Sequence, residues 1–299
     1  MLSHKTERTF DMYMRGFAMS VEIYYFSGTG NSLIVAQDIA EKINANLIPI
    51  ASQIEKKVIT ANADTIGIVF PVYYGDIPLI IKRFAEKLDN ISNKYIFAVC
   101  TYGGGTGDSL RTLGRIIHSR GGELSAQYGV HMPQNAFYKS WENHEKIFRK
   151  WKKKLEIISK DITIQKRGIL LSDFLLNLIL FPFNKLIKPF TKRGLATLSG
   201  SSSDMPIEEL MYLADRSYST NENCNGCGIC AEVCPVHNIK ITDNRPVWLN
   251  HCENCLACYN WCPHKAIQSE IAQKGYYYRH PDVKMSDIIN QKKMKNTKK

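Results

Sequence analysis

The sequence predicts two units of different class. The first is an α/β unit built on a doubly wound parallel sheet; the second is a small α+β unit rich in cysteine. Three observations predict them. Over the first half of the chain, short apolar runs of strand type alternate with segments of helical period, which implies right-handed β-α-β crossovers. A Gly/Ser-rich loop joins the first such strand to the first such helix. Eight of the nine cysteines fall between Cys224 and Cys262. The chain has 299 residues, 44% hydrophobic and 22% charged, a globular composition that excludes a wholly disordered chain. An odd number of cysteines, crowded into one region, excludes a fully paired secreted disulfide framework.

Residues 1–19 read as an N-terminal extension. They carry Glu7 and Asp11 and lack an apolar core, so they are not a secretory signal; Met19 is an alternative start. A strand over 21–26 runs into Ser27-Gly28-Thr29-Gly30-Asn31-Ser32, and Leu33, Val35, Ala36, Ile39, Ala40 and Ile43 then follow at helical spacing. Further strands are expected at 47–50, 65–70, 95–101 and 124–130, and helices near 78–88, 109–118 and 142–158.

The loop at 27–32 carries the first chemistry. Backbone N–H groups at a helix N-terminus attract an anion, and small residues let it approach. Ser27, Thr29 and Ser32 add hydroxyls, and Asn31 adds an amide. No lysine follows, so it is not a Walker A loop, and Leu33 stands where a dinucleotide fingerprint needs glycine. In open α/β sheets, ligands sit beyond the carboxyl ends of the strands. Two more such ends carry unusual loops: Tyr73, Tyr74 and Gly75 in 71–78, and Tyr102, Gly103, Gly104, Gly105 and Asp108 in 102–108. Tyrosines offer flat faces to a ring system, and the glycines leave backbone N–H groups to bond it. Cys100 reads as a small core residue.

Over about 21–160 these residues resemble flavodoxin. The resemblance implies a five-stranded sheet of order 2-1-3-4-5 and an FMN, with its phosphate on 27–32 and its isoalloxazine between the loops at 71–78 and 102–108. Tyr73, Tyr74 and Tyr102 are all candidates to stack on the ring. The loop 131–138 departs from the family pattern, being an extra aromatic segment near the same edge; closure over the flavin, contact with a partner and a plain crossover are its alternative readings.

The cysteine region reads C-x2-C-x2-C-x3-C-P twice, at 224–235 and 252–263, an internal repeat of about 28 residues. This is bacterial ferredoxin spacing, in which the fourth cysteine of each run serves the other cluster. One [4Fe–4S] cluster is therefore assigned to Cys224, Cys227, Cys230 and Cys262. The second is assigned to Cys252, Cys255, Cys258 and Cys234. Two zinc sites, each of four thiolates, are the rival reading, but zinc needs neither the third cysteine of each run nor the paired Cys-Pro. Ile229, Ile239, Ile241, Leu256 and Ile267 are the expected apolar shell.

The formal charge of +11 is localised: 139–200 holds 14 basic and 5 acidic residues, whereas 201–290 holds 7 and 11. The basic stretch includes the apolar run 169–183, too short for an ordinary transmembrane helix. It reads as a linker, with peripheral membrane contact through 161–200 and nucleic-acid contact as the disfavoured alternatives. The whole chain resembles the flavodoxin–ferredoxin fusion proteins common in anaerobes. The expected divisions are 1–19, an FMN domain over 20–160, a basic and apolar linker over 161–212, a two-cluster ferredoxin-like domain over 213–275, and a C-terminal segment over 276–299 whose aromatics dock the second unit on the first.

No catalytic acid, base or nucleophile is legible. The expected function is electron transfer for a redox partner protein. The alternatives are a flavin-dependent oxidoreductase acting on a small substrate, or a membrane-surface or nucleic-acid binder with structural clusters. A reducing, cytoplasmic setting suits eight thiolates.

Overall fold

The computed structural model describes residues 20–139, 141–170 and 188–293. The expected N-terminal extension, most of the apolar run 169–183 and all of the Lys-rich tail except 291–293 lie outside them.

The first unit is a parallel sheet with helices on both faces. Its elements are β1 (Val21–Tyr25), α1 (Asn31–Ile43), β2 (Asn46–Pro49), β3 (Thr65–Pro71), α2 (Leu79–Lys87), β4 (Tyr95–Tyr102), α3 (Ser109–Ser119), β5 (Leu124–His131), α4 (His144–Thr163) and β6 (Gly168–Ile169). The strand order is β2-β1-β3-β4-β5-β6, and every pairing is parallel. The central strands β3 and β4 are buried along nearly their whole length. Helices cover both faces, and such strands read as continuous apolar runs. The order agrees with the expected 2-1-3-4-5, but the sheet gains the two-residue sixth strand β6. It lies in the stretch read as linker, where two residues give no period to detect. Helix α4 runs five residues past its expected end, because Ile162 continues the buried stripe of Trp151, Leu155 and Ile158. Its N-terminus is capped by the Asn143 side chain, which accepts from Lys146 N at 2.8 Å.

The second unit holds α5 (Ile207–Leu213), α6 (Ile229–Val233), β7 (Ile239–Thr242), β8 (Arg245–Trp248) and α7 (Ala257–Trp261). β7 and β8 form an antiparallel hairpin, and Ser219–Thr220 pairs with Ile267–Gln268. The hairpin turn is Asp243-Asn244, both residues at positive φ. This is the chemistry of a type I′ turn.

The two units share one hydrophobic core, which includes Val233, Cys255, Ala257 and Trp261 alongside the sheet. Polar contacts fix the docking. Glu253, fully buried, accepts from Ile80 N at 2.8 Å and from Arg83 Nη2 at 2.7 Å. Arg83 also donates to Tyr212 Oη at 2.6 Å, and Trp261 Nε1 donates to Gly28 O at 3.0 Å. The loop 131–138 joins the same seam: Asn135 Nδ2 donates to Cys255 O, Asn260 Nδ2 to Asn135 O, and Gln273 N to Ala136 O.

The chain after 276 is a strap across the loop 27–32. Tyr278 Oη donates to Asn31 Oδ1, His280 N to Thr29 O, and Gln291 pairs with both backbone groups of Ser27 at 3.0 and 2.9 Å. A short helix, α8 (Met285–Ile289), lies between His280 and Gln291.

The His280 ring packs on Phe148 with centroids 4.7 Å apart. Burial lowers its pKa below the ordinary value; nearby Asp282 and Asp38 oppose the shift and Lys152 assists it. The unfolded chain therefore takes up this proton first. His280's contribution is intact above about pH 6.5 and is lost as pH falls below it. Urea unfolding at pH 7.5 and 5.5 is expected to show a smaller acid loss in His280→Phe than in the unaltered chain.

Candidate functional site

Three loops beyond the carboxyl ends of β1, β3 and β4 converge on one cleft of about 690 Å³, within the range of ligand sites. Its walls include Ser27, Gly28, Thr29, Asn31 and Ser32, then Tyr73, Tyr74 and Gly75, then Tyr102, Gly103, Gly104 and Gly105. Two of the expected residues lie elsewhere. Gly30, at φ 106°, turns the chain into α1, and a Cβ there would strike His280 and Val283 of the strap. Asp108 sits outside the cleft wall, ion-paired with Lys188 and Arg111.

The loop 27–32 is preorganised. Ser27 Oγ accepts from Gly30 N at 3.1 Å, and Ser32 Oγ meets Thr101 Oγ1 at 2.7 Å. Thr29 and Ser32 are buried at the N-terminus of a 13-residue helix, whose dipole favours an anion. The second and third loops touch: Asp108 N donates to Gly75 O at 2.8 Å, and a Cβ on Gly107 would lie 1.9 Å from that oxygen. Only glycine fits there.

The three tyrosines part ways. The Tyr73 hydroxyl lies close to Gly28 and Tyr74 Oη donates to Asn254 Oδ1 at 3.4 Å, so both reach toward the cysteine unit. Tyr102 lies against Gly129 and the His131 ring.

The eight cysteines line two cavities in the two expected sets. Cys224, Cys227, Cys230 and Cys262 share one with Ile229, Ile241 and Ile267. Cys234, Cys252, Cys255 and Cys258 share the other with Ile239, Leu256, Tyr218 and Trp248. The first, outer set is partly open: Cys227 is exposed, and Cys224 and Cys262 are half-buried. All four cysteines of the inner set are buried. Among the described residues no three His, Cys, Asp or Glu side chains gather at a single ion; each quartet surrounds a space.

Burial pushes the Cys230 thiol up to about 11 and Cys255 up to about 12, and it raises Cys234, Cys252 and Cys258 as well. Four such thiols can ionise together only against compensating positive charge, which a bound metal group supplies. The donor set therefore fits a thiolate-held metal centre.

Leu256 lines both the inner cavity and the cleft. It holds φ 57°, and Asn254 beside it holds φ 54°. A left-handed leucine is strained, and the packing of 252–258 against Gly28 maintains it. Sequence reasoning marked Leu256 as apolar shell but missed its place in the cleft. It also missed Asn254 as a cleft residue, because no period or spacing marks it, whereas Gln134 and Phe137 of the cleft wall belong to the extra loop 131–138 that the sequence set apart.

Residues 22–112 match the flavodoxin domain family, and residues 220–240 match the 4Fe-4S binding domain family. The chain thus carries a flavodoxin domain toward its N-terminus and a 4Fe-4S domain toward its C-terminus, consistent with a flavodoxin–ferredoxin fusion. Among solved structures it is similar to the flavodoxin of Streptococcus pneumoniae TIGR4, at 18% identity over 48% of this chain and 98% of that one, with a TM-score of 0.35. It is similar to an FMN-dependent NADH-azoreductase from Bacillus anthracis, at 11% identity over 48% and 99%, with a TM-score of 0.36. It is also similar to a flavodoxin from the domain Archaea, at 14% over 48% and 99%, with a TM-score of 0.34. No curated protein matches the chain.

A Cβ on Gly28 would lie 2.5 Å from Cys255 O. Gly28→Ala is expected to separate the two loops, at a cost of about 1–3 kcal/mol in urea unfolding. It should also speed the labelling of Cys255 by a thiol reagent in metal-free protein.

Proposed function

We propose that this flavin and iron–sulfur electron-transfer protein passes single electrons between two [4Fe–4S] clusters and one FMN, serving a redox partner protein. The observation that carries the proposal is the shared wall: Leu256 lines both the inner cysteine cavity and the cleft, so one side chain borders both sites. A cluster supplies one-electron exchange and the flavin accepts one or two electrons; the protein positions and tunes them.

Each residue set has a role in that reading. The outer quartet, with Cys227 exposed, faces the partner. The inner quartet excludes water and sits against the cleft. Thr29, Ser32 and the α1 N-terminus hold the FMN phosphate, and the glycines of 103–105 border the ring. Glu253, Arg83 and Trp261 keep the encounter intramolecular and at fixed geometry, which tethering alone would leave to diffusion. The setting is reducing and cytoplasmic; among the described residues no helix is long and apolar enough to cross a membrane.

A second reading has one observation behind it. The cleft continues past the ring-binding loops to Gln134, Phe137, Lys188 and Thr191, which leaves room for a small substrate over the flavin. Turnover of such a substrate by reduced protein, with no partner present, would favour this reading over the carrier.

Anaerobically purified protein is expected to hold about 8 Fe and about 8 acid-labile sulfides per chain, and to release FMN on denaturation. Zinc without labile sulfide would overturn the cluster reading. Cys234→Ser should halve the iron, damaging the cluster held by Cys252, Cys255 and Cys258 and sparing the cluster of its own run.

A further inference from the structure

The two cysteine halves repeat, but their cavities are not equivalent. Adding 28 to Tyr218 gives Pro246, and subtracting 28 from Trp248 gives Thr220. Tyr218 and Trp248 line the inner cavity, while Pro246 lines the outer one. Both inner residues bring a hydrogen-bond donor to the cavity wall; of their counterparts, Pro246 has no donor, and Thr220, whose hydroxyl oxygen accepts from Arg245 Nη1 at 3.1 Å, does not line the outer cavity.

Trp248 is the sharper case. Its Nε1 is buried, meets no oxygen or nitrogen acceptor, and lies against the Cys258 thiol. A buried indole N–H without an acceptor costs about 1–3 kcal/mol, so such atoms normally find one. Here the ring lies in the wall of a space bounded by four thiols, against Tyr218 with centroids 5.4 Å apart. By contrast, the side-chain amide of Asn225 and the His264 ring at the outer cavity bond to each other at 3.0 Å.

Backbone donors reinforce the asymmetry. Asn238 N donates to Cys234 Sγ at 3.2 Å and Asn254 N to Cys252 Sγ at 3.3 Å. At the outer set, Ala266 N donates to Cys262 Sγ at 3.3 Å. Donors to sulfur disperse negative charge and favour the reduced state. The inner site needs them more, since burial and the neighbouring Glu253 both oppose added negative charge.

We propose that Trp248 is the potential-setting residue of the inner site. Its buried indole N–H donates to sulfur at this site and makes the cluster held there easier to reduce than it would otherwise be. This rests on the two-cluster reading above. The consequence is that the inner cluster, beside the flavin cleft, keeps its electron although it is the more buried of the two.

The test is Trp248→Phe, which keeps an aromatic ring and removes the donor, followed by a redox titration of the clusters monitored by electron paramagnetic resonance. Iron and labile sulfide are measured first. At a fixed applied potential, the reduced-to-oxidised ratio of the inner cluster is expected to fall several-fold, up to about tenfold, because the bond is stronger to the more negative reduced state than to the oxidised one, while the outer cluster stays unmoved. Should the phenylalanine variant load poorly, tryptophan replaced by its benzothienyl analogue removes only the N–H and gives the same reading. Full clusters with an unmoved inner potential, or equal shifts at both clusters, would overturn the role of Trp248. Absence of labile sulfide from the unaltered protein would instead overturn the cluster reading beneath it.

Discussion

The arrangement depends on one buried carboxylate. Glu253 follows the first cysteine of the inner quartet's own run, has no exposed side-chain surface, and belongs to the second unit. Burial raises its pKa, while Arg83 and the Ile80 N–H draw it back toward the charged form. Those two partners both belong to α2 of the first unit. A buried charge with one partner removed is costly, so the inner cysteine loop cannot drift from the sheet without stranding this group. Helix α2 begins at Leu79, just beyond the Tyr73–Gly75 loop. The same contact therefore sets the distance between the cysteine loop and the cleft.

Around that anchor, small residues permit close approach. Gly28 admits the Cys255 carbonyl, and Gly107 admits the Gly75 carbonyl. The first brings the two units together and the second brings two loops of one unit together. Leu256 and Asn254 adopt left-handed backbone to complete the fit. Strain of this kind persists only where surrounding contacts over-determine it, and here those contacts are the Asn135, Trp261 and Gly28 bonds across the seam.

What was legible in the sequence was what has a period or a fixed spacing. The apolar runs of β1, β3 and β4 and the stripe of α1 located the sheet, and the sheet located the cleft. The spacing of the cysteines sorted eight of them into the two sets that line two cavities. What could not be read depends on distant partners. Gly30 looks like a phosphate-loop glycine, yet its missing Cβ makes room for Val283. Asp108 looks like a cleft residue, yet ion pairs hold it aside. The strand β6 is two residues long, and the bond from Gln291 to Ser27 spans 264 positions. No local pattern could announce either.

That last contact has a consequence for how the protein is made. A chain emerging from the ribosome presents its N-terminal unit first, so the sheet and the loop 27–32 can form while the strap is still unsynthesised. Closing a contact across 264 residues adds little loop entropy beyond that of a shorter loop, because the intervening chain is already folded by then. The strap thus arrives as the final step of assembly. It reaches across only a second unit that has docked correctly, since Lys292 must also meet the Ala231 carbonyl beside Cys230. In this order the loop 27–32 forms before the strap that crosses it, and the strap's last contacts form only against a cysteine unit already in place.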